Sequence, residues 1–196
     1  MKNILLNNQQ YHFSLNQLPI FIHGSATTGS SLFTISLVAD LYRQGNKILF
    51  TSGYHMARDE FISQTEGKAE TVLIEDITQI DTNTDAEVIF VKRETPEAFM
   101  KLINRLKDID ERIILIKNFE LFDKEVFESI KDKHSFILSG DIDNCAYKEE
   151  VLKTKFITEI LFSQPTVDIG KILPRLEKYQ GYMWGNEDTG VTRLSF

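Results

Sequence analysis

Seven short apolar runs punctuate the chain: Pro19–His23, Lys47–Thr51, Thr71–Ile74, Val88–Val91, Arg112–Ile116, Phe136–Ser139 and Glu159–Ser163. Within them Ile, Val, Leu and Phe follow one another without the apolar–polar alternation of a half-exposed strand. Unbroken apolar character marks strands covered on both faces, as in a parallel sheet held between helix layers. Between the runs the pattern shifts to helical spacing. Ser31–Arg43 is apolar nearly all round (Leu32, Phe33, Ile35, Leu37, Val38, Leu41), and Gly45 follows as a stop. Met56–Gln64 gives a shorter, weaker helix. Pro96–Lys107 follows Thr95 as N-cap, has Pro at its first helical position, and is predicted to bury Phe99, Met100, Leu102, Ile103 and Leu106. Lys124–Lys131 follows Asp123 as N-cap. Strand–helix alternation this regular predicts a three-layer α/β fold, a mainly parallel sheet flanked by helices, with right-handed crossovers.

The two ends depart from that pattern. Ile4–Leu6 and Tyr11–Leu15 flank Asn7-Asn8-Gln9-Gln10, which predicts an N-terminal hairpin over residues 1–16. Gly181–Trp184 and Val191–Phe196 flank a turn with two glycines and an Asp, which predicts a C-terminal antiparallel hairpin within 166–196. The core spans 17–165. With four prolines, ten glycines, no repeat and no low-complexity linker, residues 1–196 are expected to form a single domain.

Composition narrows the classes. With 42% hydrophobic and 26% charged residues, neither a disordered chain nor a membrane protein fits. The net charge of −7 argues against a general binder of phosphate backbones. Residues 61–144 carry 11 basic and 19 acidic side chains and so hold the whole imbalance, read as a solvated face or an acidic docking surface. The single cysteine, Cys145, excludes a disulfide framework, and four scattered histidines make a structural zinc site improbable. The opening MKNILLNNQQ lacks the apolar stretch of a signal peptide, and no run of about 20 apolar residues occurs. A cytoplasmic location without membrane contact is expected.

The loop after the first long strand carries the sharpest signal. Pro19–His23 runs into Gly24-Ser25-Ala26-Thr27-Thr28-Gly29-Ser30-Ser31, and a long helix follows. The spacing matches G-x-x-x-x-G-K-[ST] between a strand and a helix, with Ser30 where the lysine belongs. The same glycines also suit an ordinary tight turn. Backbone N–H groups at the helix start still present a positive end, so weak binding of ATP, phosphate or sulfate is compatible with the loop. Losing a charged hydrogen bond of about 1.5–3 kcal/mol removes one to two decades of affinity.

With these residues, the strand order and the closing hairpin, the chain resembles the RecA-like branch of the P-loop NTPase superfamily, with degenerate Walker A and Walker B motifs. The resemblance implies a magnesium-holding acid at the end of a later apolar strand. The matching strand, Arg112–Ile116, runs instead into Lys117-Asn118-Phe119-Glu120. Lys117 reads either as a solvent-facing strand end or as a cation that approaches the phosphate loop and supplies the charge Ser30 lacks. Glu120 lies two or three residues too late to inherit the acid's role. The acidic residue that often follows the second strand is also missing, since Ser52-Gly53-Tyr54-His55-Met56 has none before Asp59.

Other candidates carry blander alternatives. Ser139 and Asp141 resemble nucleotide-sensing strand ends, but strand-end Ser and Asp more often serve as helix caps or turns. Asp141, Asp143, Glu149 and Glu150 form an acidic cluster that suits a cation or, as a blander reading, a solvated face, while His23 and His134 read as isolated structural histidines. Cys145 has no nearby CxxC or His partner. Tyr179, Tyr182 and Trp184 near Arg175 and Lys178 suit stacking on single-stranded nucleic acid, or a core or protein contact. The expectation is a catalytically inactive RecA-like protein, without catalytic or metal-binding residues or a resident cofactor, acting as a structural or regulatory subunit through a protein partner or homo-oligomer. The alternatives are a divergent ATPase that binds nucleotide through Gly24–Ser31, and an accessory nucleic-acid-binding subunit.

Overall fold

The computed structural model describes residues 4–6, 9–25, 28–52, 56–69, 71–74, 85–92, 96–106, 108–133, 135–162, 180–185 and 192–195. In chain order the elements are β1 (Leu5–Leu6), β2 (Gln9–Gln10), β3 (Ile20–His23), α1 (Ser30–Arg43), β4 (Lys47–Ser52), α2 (Met56–Gln64), β5 (Thr71–Ile74) and β6 (Val88–Lys92). There follow α3 (Pro96–Arg105), β7 (Arg112–Lys117), α4 (Lys124–Glu128), β8 (Phe136–Gly140), α5 (Lys148–Lys153), β9 (Thr158–Leu161), β10 (Gln180–Gly185) and β11 (Thr192–Ser195). Single 3-10 turns sit at Leu15–Gln17, Ile109–Glu111, Phe119–Leu121 and Ile142–Asn144.

These strands form one sheet in the order β2-β1-β11-β10-β9-β3-β8-β7-β4-β6-β5. From β9 to β5 every neighbouring pair is parallel. The C-terminal hairpin β10–β11 joins antiparallel to β9, and β1–β2 closes on β11. Successive strand residues point to opposite faces. In β3, Ile20 and Ile22 pack under α1 and α2, while Phe21 packs on the side of α3, α4 and α5. β7 divides the same way: Ile113 and Leu115 face α1, and Ile114 and Ile116 face the other layer. This is the three-layer arrangement that the unbroken apolar runs predict.

Ten of the fourteen α1 residues are buried, because the N-terminal segment covers the side that the sheet does not. Phe13 is 1% exposed and its ring packs edge-on against Phe33, 6.0 Å away. Asp40 of α1 accepts hydrogen bonds from the Phe13 backbone N–H (3.2 Å) and from Gln44 (3.2 Å), and it pairs with His12. That anchorage corrects the expected strand Tyr11–Leu15: the hairpin pairs Leu5 with Gln10, and residues 11–14 connect it to a 3-10 turn. α1 ends at Arg43, and Gly45 two residues beyond takes a φ of 89°, which favours a residue without Cβ. α3 stops at Arg105 and α4 at Glu128, both earlier than the helical spacing predicts.

Ala26, Thr27, Gly53, Tyr54, His55, Thr95, Lys107, His134, Arg175, Lys178, Tyr179 and the C-terminal turn lie outside the described residues. Tyr182 is half-buried in β10, and the Trp184 side chain is likewise outside the description. Among the described residues no helix is long and apolar enough to cross a membrane.

Candidate anion site at the carboxyl ends of the central strands

β3 ends beside β8 and β7, and the polar residues of the three ends meet at the first turn of α1. The Gly24 N–H continues the sheet by donating to the Gly140 carbonyl at 3.0 Å. The chain then curls: the Thr28 hydroxyl donates to the Ser25 carbonyl at 2.8 Å, and Gly29 takes a φ of 99° before α1 begins. Ser30 is buried and donates to the Gly24 carbonyl at 3.3 Å. A Cβ on Gly24 would lie 2.4 Å from the Ser30 Cβ, so this closure requires glycine there. The Thr28 and Ser30 hydroxyls therefore point to loop carbonyls. Among the described residues, no side chain caps the opening N–H groups of α1.

Lys117 shares the face of Ile113 and Leu115, so the two-residue period of β7 turns it toward α1. It is 4% exposed, which corrects the reading of a solvent-facing strand end. Its ammonium donates to Ser31 Oγ at 3.0 Å and to Asn118 Oδ1 at 2.8 Å. Asn118 holds a left-handed conformation, φ 58° and ψ 50°. Burial pushes the Lys117 ammonium down to about 8, against the opposing pull of the Glu120 charge. Among the described residues no carboxylate lies within ion-pair distance of it.

Glu120 is half-buried and accepts from the Asp141 N–H at 3.1 Å. Burial raises its pKa, in spite of that bond and one from Asn118. Its carboxylate fits only because Gly140 has no side chain: a Cβ there would lie 2.0 Å from Oε2. Ser139, on the face of Ile137, meets Thr34 of α1 at 2.7 Å. Thr34 spends its own hydroxyl proton on the Ser30 carbonyl at 2.8 Å, so Ser139 is the donor between them.

His23 is not isolated. Its Nδ1 accepts from the Ile142 N–H at 3.1 Å, which leaves the proton on Nε2, and burial lowers its pKa. Ligand atoms of His23, Asp141 and Asp143 lie within 4.8 Å of one another. Both Asp141 oxygens are engaged locally, by the Asp143 N–H (3.1 Å) and by Asn144 (2.9 Å), so Asp141 caps a turn. Among the described residues Glu149 and Glu150 are not part of that grouping, and Glu150 pairs with Lys124. Cys145 is buried, and burial pushes its thiol up to about 11. The sequence motifs missed the buried environment of Glu120 and the proximity of His23 to Asp141. Both depend on β3, β7 and β8 being neighbours.

No family model and no curated protein sequence matches the chain. Solved structures do share its architecture. The genome packaging NTPase B204 from Sulfolobus turreted icosahedral virus 2 in complex with ATP-gammaS aligns with a TM-score of 0.61 at 12% identity, over 89% of this chain and 94% of that one. The same NTPase in complex with sulfate gives 0.60 at 12%, over 90% and 94%. The DNA-packaging ATPase B204 from Sulfolobus turreted icosahedral virus gives 0.54 at 10%, over 89% and 95%. With its parallel sheet, its loop between β3 and α1 and these likenesses, the chain has the P-loop NTPase fold.

Proposed function

We propose that the protein is a catalytically inactive RecA-like P-loop subunit that acts through contacts with other protein chains. On this reading Gly24–Ser31 is a degenerate phosphate loop with Ser30 in the lysine position. Lys117 then stands where an active relative would carry the magnesium-holding acid. The observation that carries the reading is the 3.0 Å hydrogen bond from the Lys117 ammonium to Ser31 Oγ. Ser31 holds the position whose hydroxyl contacts magnesium in working P-loops, and here that hydroxyl faces a cation.

Magnesium does not fit these residues. A single positive charge about 5 Å from a doubly charged ion, at an effective dielectric near 20, is repelled by about 6–7 kcal/mol. Phosphoryl transfer without a metal or a loop lysine lacks both groups that neutralise developing charge. Met56, which opens α2, is an apolar side chain left 80% exposed, as side chains at protein contacts are. The acidic excess of residues 61–144 adds a surface that steers basic partners.

The test is turnover of ATP and GTP by the purified chain with Mg²⁺ present. Release of phosphate at the level of a protein-free blank is expected. Turnover near 1 s⁻¹, about the low end of ordinary enzyme rates, that survives further purification overturns the proposal.

A further inference from the structure

We infer that β5, the strand at one edge of the sheet, takes an extended, basic segment of a partner protein as an added strand. The inference rests on the contact role proposed above, to which it gives a surface and a partner class.

Among the described residues β5 pairs with β6 alone: Thr71 with Val88, Val72 with Ile89, Leu73 with Phe90 and Ile74 with Val91. Its other side is the end of the sheet. Alternate residues of a strand direct their backbone groups to opposite sides, so β5 presents N–H and C=O groups outward with no ladder to receive them. The two edges of the sheet differ. β2, at the far edge, has two residues, both polar, and shortness is one way in which proteins blunt an edge. β5 has four, Thr71-Val72-Leu73-Ile74, with no Lys, no Pro and an unbroken register. Leu73 packs on the side of α1 and α2, so Val72 points to the α3 side. There Val72 is 38% exposed while its register partner Ile89 is fully buried. The cover of that layer thus thins from β6 to β5 and leaves an apolar side chain beside the open backbone.

Charge selects the occupant. From Ala69 to Val91 the chain has six acidic residues, Glu70, Glu75, Asp76, Asp81, Asp85 and Glu87, and no basic one. Asp85 and Glu87, just ahead of β6, are exposed. Lys68, the nearest base before the strand, is paired with Glu66 at 2.7 Å. A second copy of β5 is a poor occupant. An antiparallel copy centred on Val72 and Leu73 would set Glu70 opposite Glu75 twice, and like charges opposite one another disfavour pairing. An extended segment carrying Lys or Arg meets the same acids with opposite charge, and an apolar residue within it covers Val72. In strand addition the main-chain bonds supply the affinity and alternate side chains choose the partner.

The experiment is fluorescence anisotropy of a labelled peptide of alternating Lys and Val titrated with the full chain, with hydrogen exchange of the β5 amides as second readout. Binding is expected, with slower exchange over 71–74 and weaker binding as salt rises. A peptide of alternating Glu and Val should not bind. Nor should the Lys peptide with its central valines replaced by proline, which keeps the charge but cannot form a ladder. Val72→Lys sets a like charge on the edge and should weaken binding at least about tenfold, while Val72→Ile should retain it, with circular dichroism confirming that each variant folds. No binding of the Lys peptide, equal binding of the proline peptide, or unchanged exchange over 71–74 overturns the inference. So does light scattering that shows two copies joined through this edge, a dimer that Val72→Lys dissolves. The phosphate-release assay decides the inactive-subunit reading separately: failure here removes the surface and leaves that reading, and turnover there removes the reading and leaves the surface.

Discussion

β7 carries a buried cation at each end, and the two are treated in opposite ways. Arg112 opens the strand with 0% of its surface exposed. Its guanidinium grips Asp108 through Nε (3.0 Å) and Nη2 (2.9 Å), and Nη1 donates to the Ala86 carbonyl at 2.8 Å. Lys47 adds a second cation to the same carboxylate at 2.9 Å. Lys117 closes the strand at 4% exposure, and among the described residues its partners are neutral. The first end is a completed ion network, in which each charge removed from water has gained a partner. The second has, among the described residues, two hydrogen bonds but no carboxylate partner. A buried charge paired with an acid costs its fold less than one held by neutral groups alone.

Substitution at the two ends should therefore move stability in opposite directions. Arg112→Met should have the largest effect, destabilising by about 3–5 kcal/mol, because it removes both guanidinium bonds to Asp108, leaving that carboxylate to Lys47, and the bond to the Ala86 carbonyl. A fall in the urea midpoint at constant slope is the readout. Asp108→Asn should destabilise by about 1–3 kcal/mol. Burial alone would raise the Asp108 pKa, but hydrogen bonds from Arg112 and Lys47 outweigh it and hold the carboxyl below its usual value. Its contribution is thus full above about pH 4 and is lost as pH falls through the depressed folded value, so Asp108→Asn should flatten the acid limb of a stability–pH curve.

Lys117→Met should do the reverse and stabilise the ligand-free protein by about 1–2 kcal/mol, since an apolar chain of similar length removes the buried charge. The folded pKa of about 8 lies below the ordinary lysine value of 10.5. Wild type therefore gains stability as pH rises from about 8 toward 10.5, and the advantage of Lys117→Met should shrink over that window. A destabilised Lys117→Met at pH 7 would erase the contrast between the two ends. Lys47→Met, the half-exposed second partner of Asp108, should cost the least, about 0.2–1 kcal/mol, and should diminish further in high salt.

The layered core could be read from sequence because it is written locally: unbroken runs such as Ile113–Ile116 require cover on both faces, wherever the helices fall. The ends were harder. Tyr11–Leu15 has the composition of a strand, but Asp40, 27 residues beyond Phe13, captures the Phe13 N–H and the segment never joins the sheet. The site divides along the same line. Gly24, Gly29 and Ser31 announce themselves by spacing. Lys117 carries a signal too, since alternation along β7 puts it on the face of Ile113 and Leu115. Which helix covers that face is a property of topology, and a lysine after four apolar residues reads as readily as a solvated end. His23 and Asp141 are 118 positions apart and become neighbours only through the adjacency of β3 and β8.

The position of β1 bears on how the molecule is made on the ribosome. In the sheet β1 joins β2 on one side and β11 on the other, with Leu5 opposite Ser195. At synthesis rates of about 5–20 residues per second, the strand that receives β1 emerges on the order of tens of seconds after it. During that interval the seven-stranded parallel block from β9 to β5 can form before β11 is available to β1. β1 should therefore be captured by β11 only after that block is in place.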